Sequence, residues 1–564
     1  MTTSVGKLQP TRSGLAASAL SALRLDRAFN GRELALAWAA IALAGVLLFL
    51  PHVLHGGFYL DDWSNGALTL FNAGGTSFGD VVSSYADATI FRPVLVIYVP
   101  LTYWVFGMDV NLHLAWASFL GILVPALLYA VLRTLRVPWI HALAIAGLVL
   151  LYPWFDSTRL WVTADQITLA TAWALGGLWL ALVGLGRDSW RWHVGAAVLY
   201  LLSIFTYEIA LPAIAGLGVI YLWTFGWQRA RWRWAVDIVV VIVGGAWVLS
   251  NTQRTTSGIS GNIDHLWMIF EGGFEVLARS VVPVGPGRTT LPLVLMAAVF
   301  AAGLGAWWLW RNRPARPEAG MGLYRWLLLG GAGLGLCVLG WVIFIPADPY
   351  YTPSIYGMTN RVNGIAGIGA VLVVYAAFGV LGSLLSRLLD RRAAVLALAV
   401  TLLLGFVLGL GYLTKMRQHI GIWNSAWQSE RTALDRIKTA YPNLPPYSML
   451  FTTNYPANQT FGVPILSATW DLDGMVKDEY EDGTIGAVPL LPGFGFACGP
   501  KAVQMRALDP AGRPSGELLA ESPYGAVRIL DLENVEGAKP ANRAQCRAAI
   551  AGLEPGPLVL DGTY

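Results

Sequence analysis

Apolar stretches recur through the first 413 residues of this 564-residue chain, most of them too long for the core of a soluble domain. Crossing about 30 Å of hydrocarbon takes about 20 apolar residues in a helix. Spans of that kind are expected at 34–53, 110–132, 139–154, 165–186, 194–207, 209–226, 235–250, 291–310, 326–345, 363–384 and 393–413, eleven in all. The composition agrees. Hydrophobic residues make up 55% and charged residues only 13%, where ordinary globular proteins carry about 25% charged. A formal net charge of +4, spread over many short loops, excludes a nucleic-acid binder, and three Cys are too few for a disulfide framework.

Basic residues are retained on the cytoplasmic side, which orients the chain. With the N-terminus inside, the cytoplasmic segments hold 19 Lys and Arg and the external loops before residue 414 hold 6. The stretch 93–107 is apolar but short and contains Pro100, so it is expected as a helix in the outer interface or re-entering the membrane. Counting it as a crossing would place Arg133 and Arg136 outside and scramble every later loop. Residues 1–33 lack an early apolar core and a cleavage site, and are expected as a basic cytoplasmic tail.

From residue 414 the chain becomes charged and contains no span. These 151 residues, with 13 Lys and Arg and 16 Asp and Glu, suffice for one soluble domain outside the membrane. Helical periodicity at 423–440 and β-prone runs at 448–453 and 526–530 predict mixed α and β structure. The fold class is therefore an all-α polytopic membrane protein of about 11 transmembrane helices in residues 34–413, with a C-terminal extracytoplasmic mixed α/β domain at 414–564.

The external loops before residue 414 carry twelve acids against six bases, an unusual balance. Asp61 and Asp62 are adjacent in Phe58-Tyr59-Leu60-Asp61-Asp62-Trp63, at the start of a first external loop spanning 54–109. Paired carboxylates beside a membrane are costly unless solvated, ion-bound or working as a base. The loop continues through Phe91-Arg92-Pro93 and Phe106-Gly107 to Asn111-Leu112-His113. Further on stand Trp161-Val162-Thr163-Ala164-Asp165-Gln166, and Tyr207-Glu208 with Pro212. In this order the pieces resemble the glycosyltransferase-C superfamily, integral-membrane enzymes that use polyprenyl-phosphate sugars. That superfamily includes protein mannosyltransferases, the aminoarabinose transferase of lipid A and mycobacterial arabinosyltransferases. The resemblance covers roughly residues 34–212; residues 251–413 and the tail match only in layout.

The resemblance implies an inverting glycosyltransferase of the cytoplasmic membrane, acting on its outer face in cell-envelope biogenesis. Its partners would be a polyprenyl-phosphate-linked sugar donor, carrying arabinofuranose or another envelope sugar, membrane lipids, and a glycan, glycolipid or protein acceptor. The first-loop Asp would be the base; Asp61 is favoured, with Asp62 as partner, metal ligand or alternative base, and the sequence does not rank the two. Arg binds phosphate bidentately, which nominates Arg92, Arg361 (in a segment beginning Tyr350-Tyr351) and Arg288 for the donor phosphate. The plain alternative for each is an anchor among lipid headgroups.

Glu208, Asp165, His113 and Tyr351 are candidates for substrate contact. Asp165 would equally serve as a helix N-cap, and His113 as a structural residue at a helix start. No resident cofactor is demanded, but a hard cation, Mg²⁺ or Mn²⁺, would suit Asp61, Asp62 and Glu208. Cys337 lies inside a span. Cys498 and Cys546 both fall in the external segment, where disulfides persist, so a bridge between them is expected, with two unpaired thiols as the alternative. The tail also offers Trp423, Trp427, Tyr455 and Trp470 as sugar-stacking rings or as ordinary core. Two other function classes remain: a transporter or lipid flippase, against which no inverted repeat is visible, and a non-enzymatic envelope-assembly protein.

Overall fold

A computed structural model describes residues 31–71, 77–252, 259–283, 321–388, 393–460 and 462–560. Arg288, the predicted span 291–310 and most of the basic N-terminal segment lie outside the described residues. The first long helix, α1 (Gly31–His55), leads into three helices: α2 (Asp61–Leu70), α3 (Phe78–Thr89) and α4 (Pro93–Phe106). The sequence predicts only the last of these, yet α3 opens on a capping box. Ser77 accepts from the Asp80 N–H, and the Asp80 carboxylate accepts from the Ser77 N–H. Pro93 begins α4, where a missing N–H costs nothing. At 14 residues, with Pro100 inside, α4 is too short to cross.

The bundle continues with α5 (Val110–Thr134), α6 (Trp139–Leu151), the single turn α7 (Ser157–Leu160), α8 (Asp165–Arg187) and α9 (Trp190–Thr206). It is completed by α10 (Leu211–Gly216), α11 (Gly218–Phe225), α12 (Trp227–Asn251), α13 (Ile259–Val281), α14 (Leu323–Val342), α15 (Ala366–Leu388) and α16 (Ala393–Ala440). Among the described residues, eight helical segments are long and apolar enough to cross a membrane. The predicted spans 139–154 and 194–207 correspond to helices of 13 and 17 residues. The count of eleven is thus not reproduced as eleven long helices. α13 occupies a connection for which the sequence predicts no span. Large apolar side chains such as Leu36, Leu47, Val239, Ile242 and Phe406 are exposed along these helices. A soluble monomer does not leave that much apolar surface in water. The chain is a multi-pass membrane protein.

The boundary drawn at residue 414 corresponds to no break in the backbone. α16 is one helix of 48 residues, about 70 Å long, whose apolar first half gives way to a polar second half without a turn. The composition shift marks where the helix leaves the apolar layer. Beyond it, β1 (Met449–Thr453), β4 (Gly486–Pro489), β8 (Val527–Asp531) and β9 (Glu536–Ala538) form a sheet in the order β4-β1-β8-β9, with β1 parallel to both neighbours. A short ribbon pairs β2 (Asn458–Thr460) with β3 (Val463–Pro464), and α17 (Thr469–Glu479) precedes β4. An antiparallel sheet of β5 (Phe494–Cys498), β6 (Ala502–Leu508) and β7 (Pro514–Pro523) lies farther along, followed by α18 (Arg543–Ile550). Cys498 and Cys546 are joined, tying β5 to α18. Cys337 is buried and free.

One hydrophobic cluster runs through the bundle. A second gathers Phe49, Tyr59, Trp63 and Trp161 from the membrane half with Trp423, Leu434, Leu450, Leu472 and Met475 from the tail. The first loop and the tail domain therefore share a core. The two meet between α2 and α17, where a Cβ on Gly474 would stand 2.4 Å from the Trp63 carbonyl carbon. Only a glycine allows the two helices to meet this closely.

Candidate active site

The chain enters α2 through a constrained turn. Leu60 has φ 51° and ψ −112°, a conformation that costs a non-glycine residue about 1–3 kcal/mol and persists only where surroundings over-determine it. Those surroundings are polar anchors on Tyr59. Its hydroxyl donates to the Trp423 carbonyl at 2.8 Å, and its carbonyl accepts from Trp161 Nε1 at 3.0 Å. The turn thereby sets Asp61 and Asp62 at the first two positions of α2.

The two carboxylates have different environments. Asp62 is fully buried. Its Oδ1 accepts from the Thr163 N–H at 2.7 Å and the Thr163 hydroxyl at 2.5 Å, and its Oδ2 accepts from the Tyr59 N–H at 2.9 Å. Burial pushes its pKa up to about 7, with those three donors pulling the other way. Both oxygens are committed: Oδ1 holds the Trp161–Asp165 segment against α2, and Oδ2 closes the turn at Tyr59. Asp61 is half-buried. Its Oδ1 accepts from Trp470 Nε1 at 2.7 Å, and among the described residues its Oδ2 has no hydrogen-bond partner. Burial raises the Asp61 pKa; the Trp470 N–H and the Arg361 charge oppose the rise.

Arg361 sits in a one-residue-per-third-turn helix, Gly357–Asn363, just before α15. Its guanidinium faces the rings of Trp161 at 5.2 Å, Tyr351 at 5.4 Å and Tyr350 at 5.5 Å. Among the described residues no carboxylate lies within ion-pair distance of it, although its charge acts on Asp61. Tyr351 also stacks on Phe344, with centroids 6.1 Å apart, and so belongs to this aromatic rim.

Arg92 and Glu208 meet each other instead. Arg92 Nε and Nη2 donate to the two Glu208 oxygens at 2.8 and 2.7 Å, both side chains are largely buried, and the guanidinium lies 3.7 Å over the Tyr207 ring. Arg92, expected at the donor phosphate, is here paired with a bidentate carboxylate. Glu208 is equally withdrawn from metal binding. With Asp62 occupied as well, the Asp61, Asp62 and Glu208 set does not converge. Among the described residues no three His, Cys, Asp or Glu gather as a metal site would need. These donors do not fit a resident divalent ion.

The remaining candidates are structural in placement. Asp165 is buried in the first turn of α8, where Ala164 is the N-cap, so the capping expectation is corrected; its carboxylate accepts from the Tyr98 hydroxyl at 2.8 Å. His113 Nε2 bonds the Gly107 carbonyl at 3.0 Å among Phe58, Tyr103 and Phe106, fastening the Phe106–Gly107 turn. Trp423 is buried, Trp427 stacks on Trp63 at 5.8 Å, and the Tyr455 hydroxyl donates to the Ser429 carbonyl. Of the four rings named for the tail, Trp470 alone is half exposed, at 50%.

A second polar cluster lies below the site and escaped the sequence. Buried Asp156 accepts from Asn360, from His419 Nδ1 at 3.0 Å and from Trp423 Nε1 at 3.3 Å. It binds the Arg361 segment and α16 to the turn after α6. His419 and Asn360 stand 263 and 204 residues from Asp156, with no local pattern to flag them. Nearby, Arg159 is buried and donates to the carbonyls of Leu150 and Tyr152.

No family model matches the chain, and no curated protein does. Among solved structures it is similar to the oligosaccharyltransferase of Archaeoglobus fulgidus, crystallised tethered to an acceptor peptide containing the NVT sequon through a disulfide bond. The two are 13% identical with a TM-score of 0.36, and the match covers 81% of this chain and 63% of that one. The chain thus spans less than two thirds of that protein's length, and a likeness this loose carries no argument about either fold or activity.

Proposed function

We propose that the protein is an inverting glycosyltransferase that moves a sugar from a polyprenyl-phosphate donor to a glycan, glycolipid or protein of the cell envelope, on the outer face of the cytoplasmic membrane. One observation carries the reading. Among the described residues, Asp61 keeps one carboxylate oxygen unengaged beside the charge of Arg361, a cation with an aromatic surround and no carboxylate within ion-pair distance. A base and an anion-binding group side by side are what group transfer from a phosphate ester to a hydroxyl needs.

In this reading the acceptor hydroxyl gives its proton to Asp61 as its oxygen attacks the anomeric carbon. The bond from that carbon to the phosphate oxygen breaks, and the electron pair leaves with polyprenyl phosphate, whose charge Arg361 holds. Attack from the face opposite the leaving group inverts the anomeric centre with no second nucleophile. Asp62 positions the turn and does not exchange protons with substrate. In this reading the donor lipid lies in an apolar cavity of about 630 Å³ found among the described residues between α5, α8, α10, α14 and α15, whose lining includes Ile365.

Kinetics of two variants test the assignment. Asp61→Asn keeps shape and removes basicity, and should lower kcat by about 10²–10⁴-fold with donor KM nearly unchanged. Arg361→Ala should raise donor KM through loss of a charge-assisted contact worth about 1.5–3 kcal/mol, with Lys rescuing only in part. Normal turnover in Asp61→Asn contradicts the role of the base.

A further inference from the structure

The tail domain reaches the proposed base through one side chain. Trp470, the second residue of α17, is 409 positions from Asp61 and donates its indole N–H to Asp61 Oδ1 at 2.7 Å. An indole committed at its N–H edge has lost its freedom to rotate, so its ring is held in a set relation to the carboxylate. Half of the residue remains exposed, although large apolar side chains around it are buried. α17 itself cannot drift: Gly474 lies against the Trp63 backbone, and buried Asp471 accepts from the Ser467 and Ala468 N–H groups at 2.8 and 2.9 Å to close the start of the helix. The result is a flat, rigid, open apolar face at the rim of the site, one hydrogen bond away from the base.

We propose that Trp470 is both the positioning residue for Asp61 and the platform on which a carbohydrate acceptor stacks, so that the tail domain completes the active site and the acceptor is a sugar ring. The proposal rests on Asp61 being the base. A sugar ring offers one face of C–H groups that packs on an indole, while its hydroxyls project from the edge. A hydroxyl at that edge is delivered toward Asp61 Oδ2, the oxygen that Trp470 does not occupy. A peptide serine has no such face to match.

Two separable effects follow. The N–H, together with the Arg361 charge, stabilises the carboxylate form of Asp61 against burial; the other titratable groups that feel the Asp61 charge are Tyr350 from the segment before α15, Tyr103 from α4, Asp62 beside it, and Asp471 on α17. Trp470→Phe keeps a ring and removes the N–H. The acid limb of its kcat profile should move to higher pH, because the base then holds its proton more tightly. Labelled oligosaccharides should bind this variant within about threefold of the parent. Trp470→Ala removes ring and N–H, and oligosaccharide affinity should fall about tenfold with donor KM unchanged.

The experiment uses the full chain in nanodiscs, a panel of labelled oligosaccharides and a serine/threonine peptide as acceptor probes, and melting curves to confirm that each variant is folded. An unshifted acid limb in Trp470→Phe overturns the positioning role. Unchanged oligosaccharide binding in Trp470→Ala, or binding and turnover of the peptide alone, overturns the platform. An active Asp61→Asn would instead remove the base itself, a distinguishable failure.

Discussion

Adjacent carboxylates acquire opposite duties when one is given donors and the other is given space. Asp62 accepts three hydrogen bonds in a closed environment, and Asp61 accepts one beside an open edge. Asp62→Asn should therefore act on stability: one of its two acceptor oxygens becomes a donor facing an N–H or hydroxyl, costing about 1–3 kcal/mol and lowering the melting temperature. A scan that leaves Asp62→Asn as stable as the parent would contradict its anchoring role. Arg92 and Glu208 offer a second test. Removing one partner of a buried pair strands the other charge, at about 3–5 kcal/mol, so Arg92→Ala and Glu208→Ala should each destabilise strongly and the double variant by less than their sum. Strict additivity would mean that the two do not act as a pair. The Asp61-Asp62 motif was legible because the two acids stand together in sequence. Their ranking was not, because Thr163 and Trp470 arrive from 101 and 409 residues away. The Glu208 partner of Arg92 was hidden for the same reason: a cation at the start of an interfacial helix looks the same in sequence whether or not a carboxylate 116 residues away meets it.

Among the elements, apolar length was a sound guide where a helix was long, and a poor one where structure was short or amphipathic. α1, α5, α8, α14 and α15 lie within a few residues of their predicted spans, and α12 begins eight residues before its own. The capping box at Ser77 was readable but sat in a part of the first loop for which no helix was predicted. α13 alternates apolar and charged residues, so no window of it reaches the hydropathy of a span. α16 hides its own continuity, because composition changes within a helix that does not stop. The contact of α2 with α17 depends on Gly474. Gly474→Ala should push the helices apart, since the added Cβ meets backbone atoms of Trp63 and Ser64 rather than a movable side chain. Its expected signature is a combined loss, with lower stability and an acid limb shifted upward as in Trp470→Phe. Wild-type values for both would show that the contact tolerates a methyl group and does not carry Trp470 to its place.

At the scale of the molecule, α2 and α17 pack together, so the first loop and the tail must share one side of the membrane. Ten of the eleven predicted spans separate them, an even number, which is consistent with that packing. Charge asymmetry predicts that this shared side is outside, where a Cys498–Cys546 bridge would persist. Cysteine labelling in intact cells should reach positions in both the first loop and the tail. Peptide mapping without reductant should recover the bridge, whose loop of 48 residues corresponds to about 4 kcal/mol in the chain-entropy model. Labelling that required permeabilised cells would reverse the orientation.

The central claim is that Asp61 and Arg361 transfer a sugar from a lipid phosphate, and release of that lipid tests it most directly. Purified protein would be incubated with a panel of polyprenyl-phosphate sugars and labelled acceptors, and free polyprenyl phosphate measured for the parent and for Asp61→Asn. The account predicts acceptor-dependent release by the parent with at least one donor, an inverted anomeric centre in the product, and release lowered about 10²–10⁴-fold by Asp61→Asn. No release from any donor, or equal release by parent and variant, would contradict it.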